Sequence, residues 1–305
     1  MKIIDFFCGC GGLSLGFQKA GFDIIEAHDN WDKAIENYKN NFPHPVFKTD
    51  LSDWEAITKN LQDKAFDGII GGPPCQDFSS AGKREEGDRA NLTQSYARIV
   101  QVIHPRFFVM ENVARSKNSG TYKEARARFK ASGYGLTEMV LDASKCGVPQ
   151  LRKRFFCVGF LGAEDGFLDE LLYKKMSTTR MTVRDYLGSA IGAEHYYRHP
   201  RNYDRRGIFS IDEPSETIRG VNRPIPDGYK GHRKDSTDLN DSLRALTTEE
   251  RASIQTFPDT YKWTGSKTEI EQMIGNAVPV NLGQFVASAV REYCEGSREE
   301  GSQCY

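Results

Sequence analysis

No apolar run in the sequence approaches the ~18 residues that span a bilayer. Its first residues do not read as a secretory leader either, because Lys2-Ile3-Ile4 meets Asp5 before an apolar core forms. A cytoplasmic protein is therefore expected. No Cys-x-x-Cys pair occurs among the seven cysteines, which are odd in number and scattered at 8, 10, 75, 146, 157, 294 and 304. That disfavours a disulfide framework and a zinc site, and no metal is expected. Excess charge of one sign is missing too: 41 Lys and Arg face 42 Asp and Glu, so bulk electrostatics announces no nucleic-acid partner. The phosphate-binding pattern Gly-x-x-x-x-Gly-Lys-Ser/Thr is absent, as are internal repeats.

What is present is ordinary for a folded chain. With 305 residues, 38% hydrophobic and 27% charged, it has room for one large domain or two modest ones and is not disordered. Short apolar runs at 2–7, 24–27, 66–71, 107–110 and 155–160 read as buried strands. Helical spacing appears at 13–20, at Trp31, Ile35, Tyr38 and Phe42, and near 92–103 and 120–132. Such alternation predicts an open, mostly parallel sheet with helices on both faces. The pattern breaks after about 165 and returns at 247–257, where Thr247-Thr248-Glu249-Glu250 reads as a helix cap, and at 279–295. A large domain interrupted by a smaller, irregular one follows.

The most informative stretch is Gly71-Gly72-Pro73-Pro74-Cys75-Gln76. Rigid proline geometry closes an apolar run and sets a cysteine at the mouth of a strand-to-loop turn. A thiolate is a strong nucleophile that needs no metal. In Asp5-Phe6-Phe7-Cys8-Gly9-Cys10-Gly11-Gly12 a glycine turn joins a strand to a helix, which suits a nucleotide site and a plain tight turn equally. Asp29 ends the second strand, where folds of this class bind ribose hydroxyls. Glu111 ends the run Phe107–Met110, where an unpaired carboxyl has a raised pKa and can act as a general acid. Arg152 and Arg154 alternate, so both would share one face of an extended segment. Residues 76–91 are polar and long enough to form a lid. Between 180 and 234 the chain is arginine-rich, net basic and interleaved with tyrosine, as a phosphate-tracking surface requires.

In this order and at these spacings, the glycine turn, Pro-Pro-Cys-Gln, Glu111-Asn112-Val113, Gln150-Leu151-Arg152-Lys153-Arg154 and Gly275-Asn276-Ala277-Val278-Pro279 resemble the motifs of the DNA cytosine-5 methyltransferases. The match runs from residue 1 to about 295. The resemblance implies an α/β fold, a Rossmann-like S-adenosylmethionine-dependent methyltransferase sheet with an inserted small irregular target-recognition domain. The large domain would be 1–165 plus 270–296, the small one 175–265, and 297–305 a disordered tail.

As cofactor the resemblance implies S-adenosyl-L-methionine, leaving as S-adenosyl-L-homocysteine. Phe7 would lie against the adenine, Asp29 on the ribose, Asp50 near the adenine amino group and Asn276 near the methionine portion. Gly9, Gly11, Gly12, Leu13, Asn30, Leu51, Pro73, Leu92 and Val278 complete that set. Position 30 is Asn, where some family members carry a large aromatic. Cys75 would add to cytosine C6, with Glu111 protonating N3, Arg154 holding O2, and Arg152 supporting the catalytic loop or the DNA backbone. A base inside a duplex presents neither C6 nor its pairing edge, so it must be flipped out. Gln76, Ser79, Lys83 and Arg84 of the loop and Arg205, Arg206, Thr217 and Arg219 of the small domain would contact DNA. Residues 244–258 resemble the family's motif that organises the small domain. A bacterial or phage modification methylase is implied: a monomer acting on a specific short sequence of double-stranded DNA, away from membranes. A cognate restriction endonuclease is a further candidate partner. The transfer-RNA branch of the family shares fold and cysteine, but the region after 180 lacks its Cys-Phe-Thr signature.

Overall fold

Ile3 to Phe6 are buried on both faces, so the first apolar run becomes the central strand β1 (Lys2–Phe6). The computed structural model describes residues 1–74, 92–200, 202 and 204–301, with side chains as far as 296. Cys75, Gln76, Ser79, Lys83 and Arg84 lie outside the described residues. After β1 come α1 (Gly12–Lys19), β2 (Asp23–Asp29), α2 (Asp32–Lys39), β3 (Val46–Lys48), α3 (Trp54–Leu61) and β4 (Gly68–Gly71). They are followed by α4 (Leu92–Ile103), β5 (Phe107–Val113), α5 (Gly120–Ala131), β6 (Tyr134–Asp142), β7 (Gln150–Leu151) and β8 (Lys153–Leu161).

Seven strands form one sheet in the order β3-β2-β1-β4-β5-β8-β6. β1, β2, β3, β4 and β5 run parallel, and β8 is antiparallel to both of its neighbours. The mostly parallel sheet expected from the alternation is therefore found. β3, α3 and the nine-residue β6 carry too mixed a pattern to have been read in advance. On one face α1 and the last helix, α10 (Val280–Gly301), pack Phe17, Val286 and Val290 against Ile3, Ile70 and Val109. On the other, α3, α4 and α5 bring Ile57, Leu61, Tyr96 and Phe129 against Ile4, Ile69 and Phe108. The chain leaves β1 toward β2 and β3, then returns to β4 on the other side of β1. In sheets of this kind ligands bind at that reversal, outside the carboxyl ends of the strands.

Beyond β8 the elements are short: α6 (Asp169–Lys175), α7 (Val183–Leu187), β9 (His195–Tyr197), β10 (Ile208–Ser210), β11 (Ser215–Glu216), α8 (Thr248–Ile254), α9 (Lys267–Asn276) and α10 (Val280–Gly301). Thr247 caps α8 as its sequence predicts, its hydroxyl accepting from Glu250 N–H while the Glu250 carboxylate accepts from Thr247 N–H. β9 pairs antiparallel with β10, and β11 pairs with β7. The core of this part (Tyr196, Phe209, Ile218, Leu246, Phe257, Met273) is continuous with apolar residues under the glycine turn (Cys8, Cys10, Ala34, Tyr38). The tail expected from 297 starts helical, because α10 continues to Gly301. Residues 302–305 lie outside the described residues.

Candidate active site

The carboxyl ends of β1 to β5 deliver Phe7, Asp29, Asp50, Pro73 and Glu111 to one edge of the sheet. The turn after β1 is tightly specified. Phe7 has φ 60°, a left-handed conformation uncommon for a side chain of its size, and Gly9 and Gly11 follow at 53° and 88°. Cys8 N–H donates to His28 O at 3.1 Å, Gly9 N–H to Asp29 Oδ2 at 2.8 Å, and Trp31 N–H to Asp29 Oδ1 at 2.9 Å. One carboxylate thus ties the end of β2 to the glycine turn. Burial raises the Asp29 pKa, opposed by these backbone donors. A Cβ placed on Gly9 would meet nothing within 4 Å, so open space lies over the turn. A Cβ on Gly12 would stand 2.2 Å from Val278 O, so the residues after α9 press directly on the start of α1. α1 begins at Gly12 with no side-chain cap, which leaves N–H groups for an anionic ligand.

Around this turn Leu13, Leu51, Pro73 and Val278 are buried, and Leu92 is half-buried at the start of α4. Asp50 is exposed and accepts from Ser52 N–H at 3.0 Å and Ser52 Oγ at 2.6 Å. Asn276 is exposed at the end of α9, and Asn30 is exposed as well. The ring beside Asn30 belongs to Trp31, half-buried and packed toward the core.

Beneath the turn lies a network the sequence reading missed. Ser14 Oγ is bonded to Asp5 Oδ2, Tyr38 OH lies 2.7 Å from Ser14 Oγ, and His44 Nε2 lies 2.7 Å from Tyr38 OH. Asp5 is fully buried, and burial pushes its carboxyl up to about 8.

On the other side of the crevice, β5 and β8 pair so that Val113 faces Arg154 and Glu111 faces Phe156. Glu111 and Arg154 are diagonal neighbours on one face, and Arg154 Nε lies 3.0 Å from Glu111 Oε1. Burial raises the Glu111 pKa, opposed by Arg154 and then Arg152; burial likewise lowers that of Arg154, opposed by Glu111. A guanidinium does not release its proton in a protein, so the carboxyl is the member of the pair that takes one up. Asn112 was read only as part of a motif, yet its Nδ2 donates to Pro73 O at 3.0 Å. It pins the segment leading to Cys75 beside Glu111. A Cβ on Gly72 would come 3.1 Å from Glu111 Oε2, so the two segments already touch.

Arg152 was expected to support the catalytic loop, which lies outside the described residues, or the DNA backbone. It is 1% exposed and donates to the carbonyls of Ile218, Gly275 and Ala277, each at 2.9 Å. There it fixes the carbonyls on both sides of Asn276. Arg206 pairs with Glu213 and stacks 4.2 Å over Phe209, and Arg205 is exposed. Thr217 Oγ1 donates to Leu151 O at 2.7 Å, and Arg219 donates to His199 O. Among the described residues no group of three or more His, Cys, Asp or Glu could hold a metal ion, and no helix is long and apolar enough to cross a membrane.

The model of the family described as C-5 cytosine-specific DNA methylase matches residues 1–292. The chain belongs to this family. It is 56% identical over 292 residues to the Type II methyltransferase M.HindV of Haemophilus influenzae, spanning 95% of this chain and 96% of that protein. It is 52% identical over 299 residues to the Type II methyltransferase M.HgiDI of Herpetosiphon aurantiacus, spanning 98% and 96%. In fold it is similar to the crystal structure of the S. pombe Dnmt2 methyltransferase, with a TM-score of 0.70 and 18% identity over 96% of this chain and 98% of that one. The protein is thus a C-5 cytosine-specific DNA methyltransferase, and its α/β sheet is the Rossmann-like methyltransferase sheet with the small irregular part inserted before the last helices.

Proposed function

We propose that this methyltransferase acts on one cytosine within a short duplex DNA sequence, flips that base out, and attacks C6 with Cys75. The observation that carries the reading is the buried Glu111–Arg154 pair, 3.0 Å apart, beside a Pro73 carbonyl held by Asn112 one residue before the Pro74-Cys75 step. Cytosine C5 is a poor nucleophile. Addition of a thiolate at C6 makes the ring an enamine and puts negative charge on N3 and O2. Glu111, whose pKa burial raises against the pull of Arg154, supplies the proton to N3, and Arg154 both orients Glu111 and takes O2. Once C5 carries the methyl group that the cofactor would supply, loss of the C5 proton to water and return of the N3 proton to Glu111 restore the 5,6 double bond and expel the Cys75 thiolate.

The cofactor we infer is S-adenosyl-L-methionine, which when bound supplies an electrophilic methyl group on a sulfonium and leaves as S-adenosyl-L-homocysteine. The residues present fit it. Open space over Gly9, the uncapped start of α1 and the half-buried Phe7 suit an amino-acid nucleoside, with Asp29 for the ribose, Asp50 for the adenine amino group, Asn276 for the methionine portion and the Trp31 ring nearby. Asp29 holds the glycine turn through Gly9 N–H while it would accept from the ribose, and Arg152 braces the segment carrying Asn276. We infer a cofactor-binding part (1–165 with 270–296), a target-recognition part (175–265) that meets DNA through residues such as the exposed Arg205, and a monomeric, cytoplasmic enzyme. The Type II designation of the relatives favours a restriction-modification pair with a cognate endonuclease. Bisulfite sequencing of DNA from cells expressing the chain tests the reading. One short motif should be protected at one cytosine, and no protection, with methyl transfer to transfer RNA in vitro, would overturn the choice of DNA.

A further inference from the structure

A cavity of about 470 Å³ opens between β2, β3 and α3, and of the residues assigned to the cofactor it shares only Asp50. Its origin is local. β3 has three residues and α3 packs on α4, which leaves a gap beside β2 and β3 with the buried Glu26 and His28 as its floor and Phe47 at its side. Phe47 is 44% exposed, an unusual state for a ring beside a sheet. Across the gap, Ile57 and Leu61 of α3 form the apolar wall, with Ala56 and Asn60 along its rim.

The chemistry of the floor selects the guest. Glu26 is buried but satisfied, its carboxylate bonded to Lys64 and lying 3.3 Å from His28 Nε2. His28 Nδ1 in turn lies 2.8 Å from Thr49 Oγ1. No buried charge waits there for a ligand, and an apolar group entering the cavity would orphan none of these partners. The rings of His28 and Phe47, with centroids 5.4 Å apart and tilted by 31°, offer faces and edges to an aromatic guest.

We propose that this cavity is a side pocket of the cofactor site that accepts an aryl or alkyl group carried on the adenine amino nitrogen. The enzyme would therefore bind N6-substituted S-adenosyl nucleosides. The inference rests on the reading of Asp50 as partner of the adenine amino group. A singly substituted amine keeps one N–H for Asp50 and directs its substituent past that residue, into the space Asp50 lines.

The test is calorimetric titration of the full-length protein with S-adenosylhomocysteine and with its N6-benzyl derivative, repeated on Ala56→Trp and Asn60→Trp. Each variant puts an indole on the exposed rim of α3. Wild type should bind the derivative within tenfold of the parent. Each tryptophan should weaken the derivative tenfold or more and the parent less than twofold, and two positions guard against one variant misfolding. A derivative more than tenfold weaker than the parent in wild type, or equal losses of both ligands in the variants, would overturn the pocket. Failure of the parent itself to bind would instead strike the cofactor reading, and the pocket with it.

Discussion

Asp5→Asn should change how stability depends on pH while leaving its surroundings nearly isosteric. The carboxyl is fully buried under the glycine turn, one of its oxygens has no partner among the described residues, and burial pushes it up to about 8 from an ordinary 3.8. The folded protein therefore holds a proton that the unfolded chain releases above pH ~4. The contribution of Asp5 to stability is complete below the unfolded pKa and is lost as pH rises toward the folded one. Each pH unit inside that window costs about 1.4 kcal/mol. An asparagine has no such slope. Urea denaturation of both proteins at pH 5.5 and 7.5 isolates the effect, because Asp29, Cys8 and Cys10 of the turn and Tyr38 and His44 at the far end of the network are common to both. The stability difference should move by about 2.5 kcal/mol in favour of Asp5→Asn over those two units. A difference that stays constant would mean that Asp5 is ionised in the folded state, stabilised by Ser14 and its neighbours.

Further perturbations separate the roles of the remaining groups. Glu111→Gln should slow methyl transfer by about 10²-fold or more in single-turnover assays, with DNA affinity retained in a filter-binding measurement. Arg152→Met should cost about 2–5 kcal/mol in urea denaturation, since the Ile218 and Gly275 carbonyls lose a buried charged donor, and should weaken cofactor binding through Asn276. Unchanged stability with weakened DNA binding would return Arg152 to the DNA backbone. Arg205→Ala should reduce the slope of log K for DNA against log salt by about one. Arg206→Ala should leave that slope alone and cost about 1 kcal/mol of stability through the half-buried Glu213 pair, both read from the same titration series and melts.

Much of the large sheet was legible because buried parallel strands read as unbroken apolar runs, as in β1, β4 and β5. β6 escaped because Thr137 and Glu138 interrupt its pattern, and both are used. Thr137 Oγ1 accepts from Leu168 N–H at 2.9 Å, and Glu138 pairs with Arg126 at 2.8 Å. Glu111 and Arg154 were singled out from strand position and motif, but Glu111 was read as an unpaired carboxyl, and its pairing with Arg154 follows only from the register of β5 and β8. The burial of Arg152 was not legible because alternation fails at a kink: its N–H donates to Gln150 O at 2.9 Å in the break between β7 and β8. Its guanidinium then goes to carbonyls brought from more than 60 residues away, which no local pattern announces. Asn112 meets Pro73 from 39 residues away, and Asp5, Ser14, Tyr38 and His44 are joined across separate elements and the loop after α2. Such contacts are made by the fold and are invisible in spacing.

The central claim, that Cys75 attacks cytosine C6, is tested most directly by a mechanism-based trap. Duplex DNA carrying 5-fluorocytosine at the target base lets the thiolate add and the methyl group transfer, but fluorine does not leave C5 as a proton does. A denaturation-resistant protein–DNA adduct should form only with S-adenosylmethionine, map by peptide mass spectrometry to Cys75, and be absent from Cys75→Ser. No adduct on a sequence the enzyme demonstrably methylates at C5, or one that maps to Cys8 or Cys10, would contradict the account.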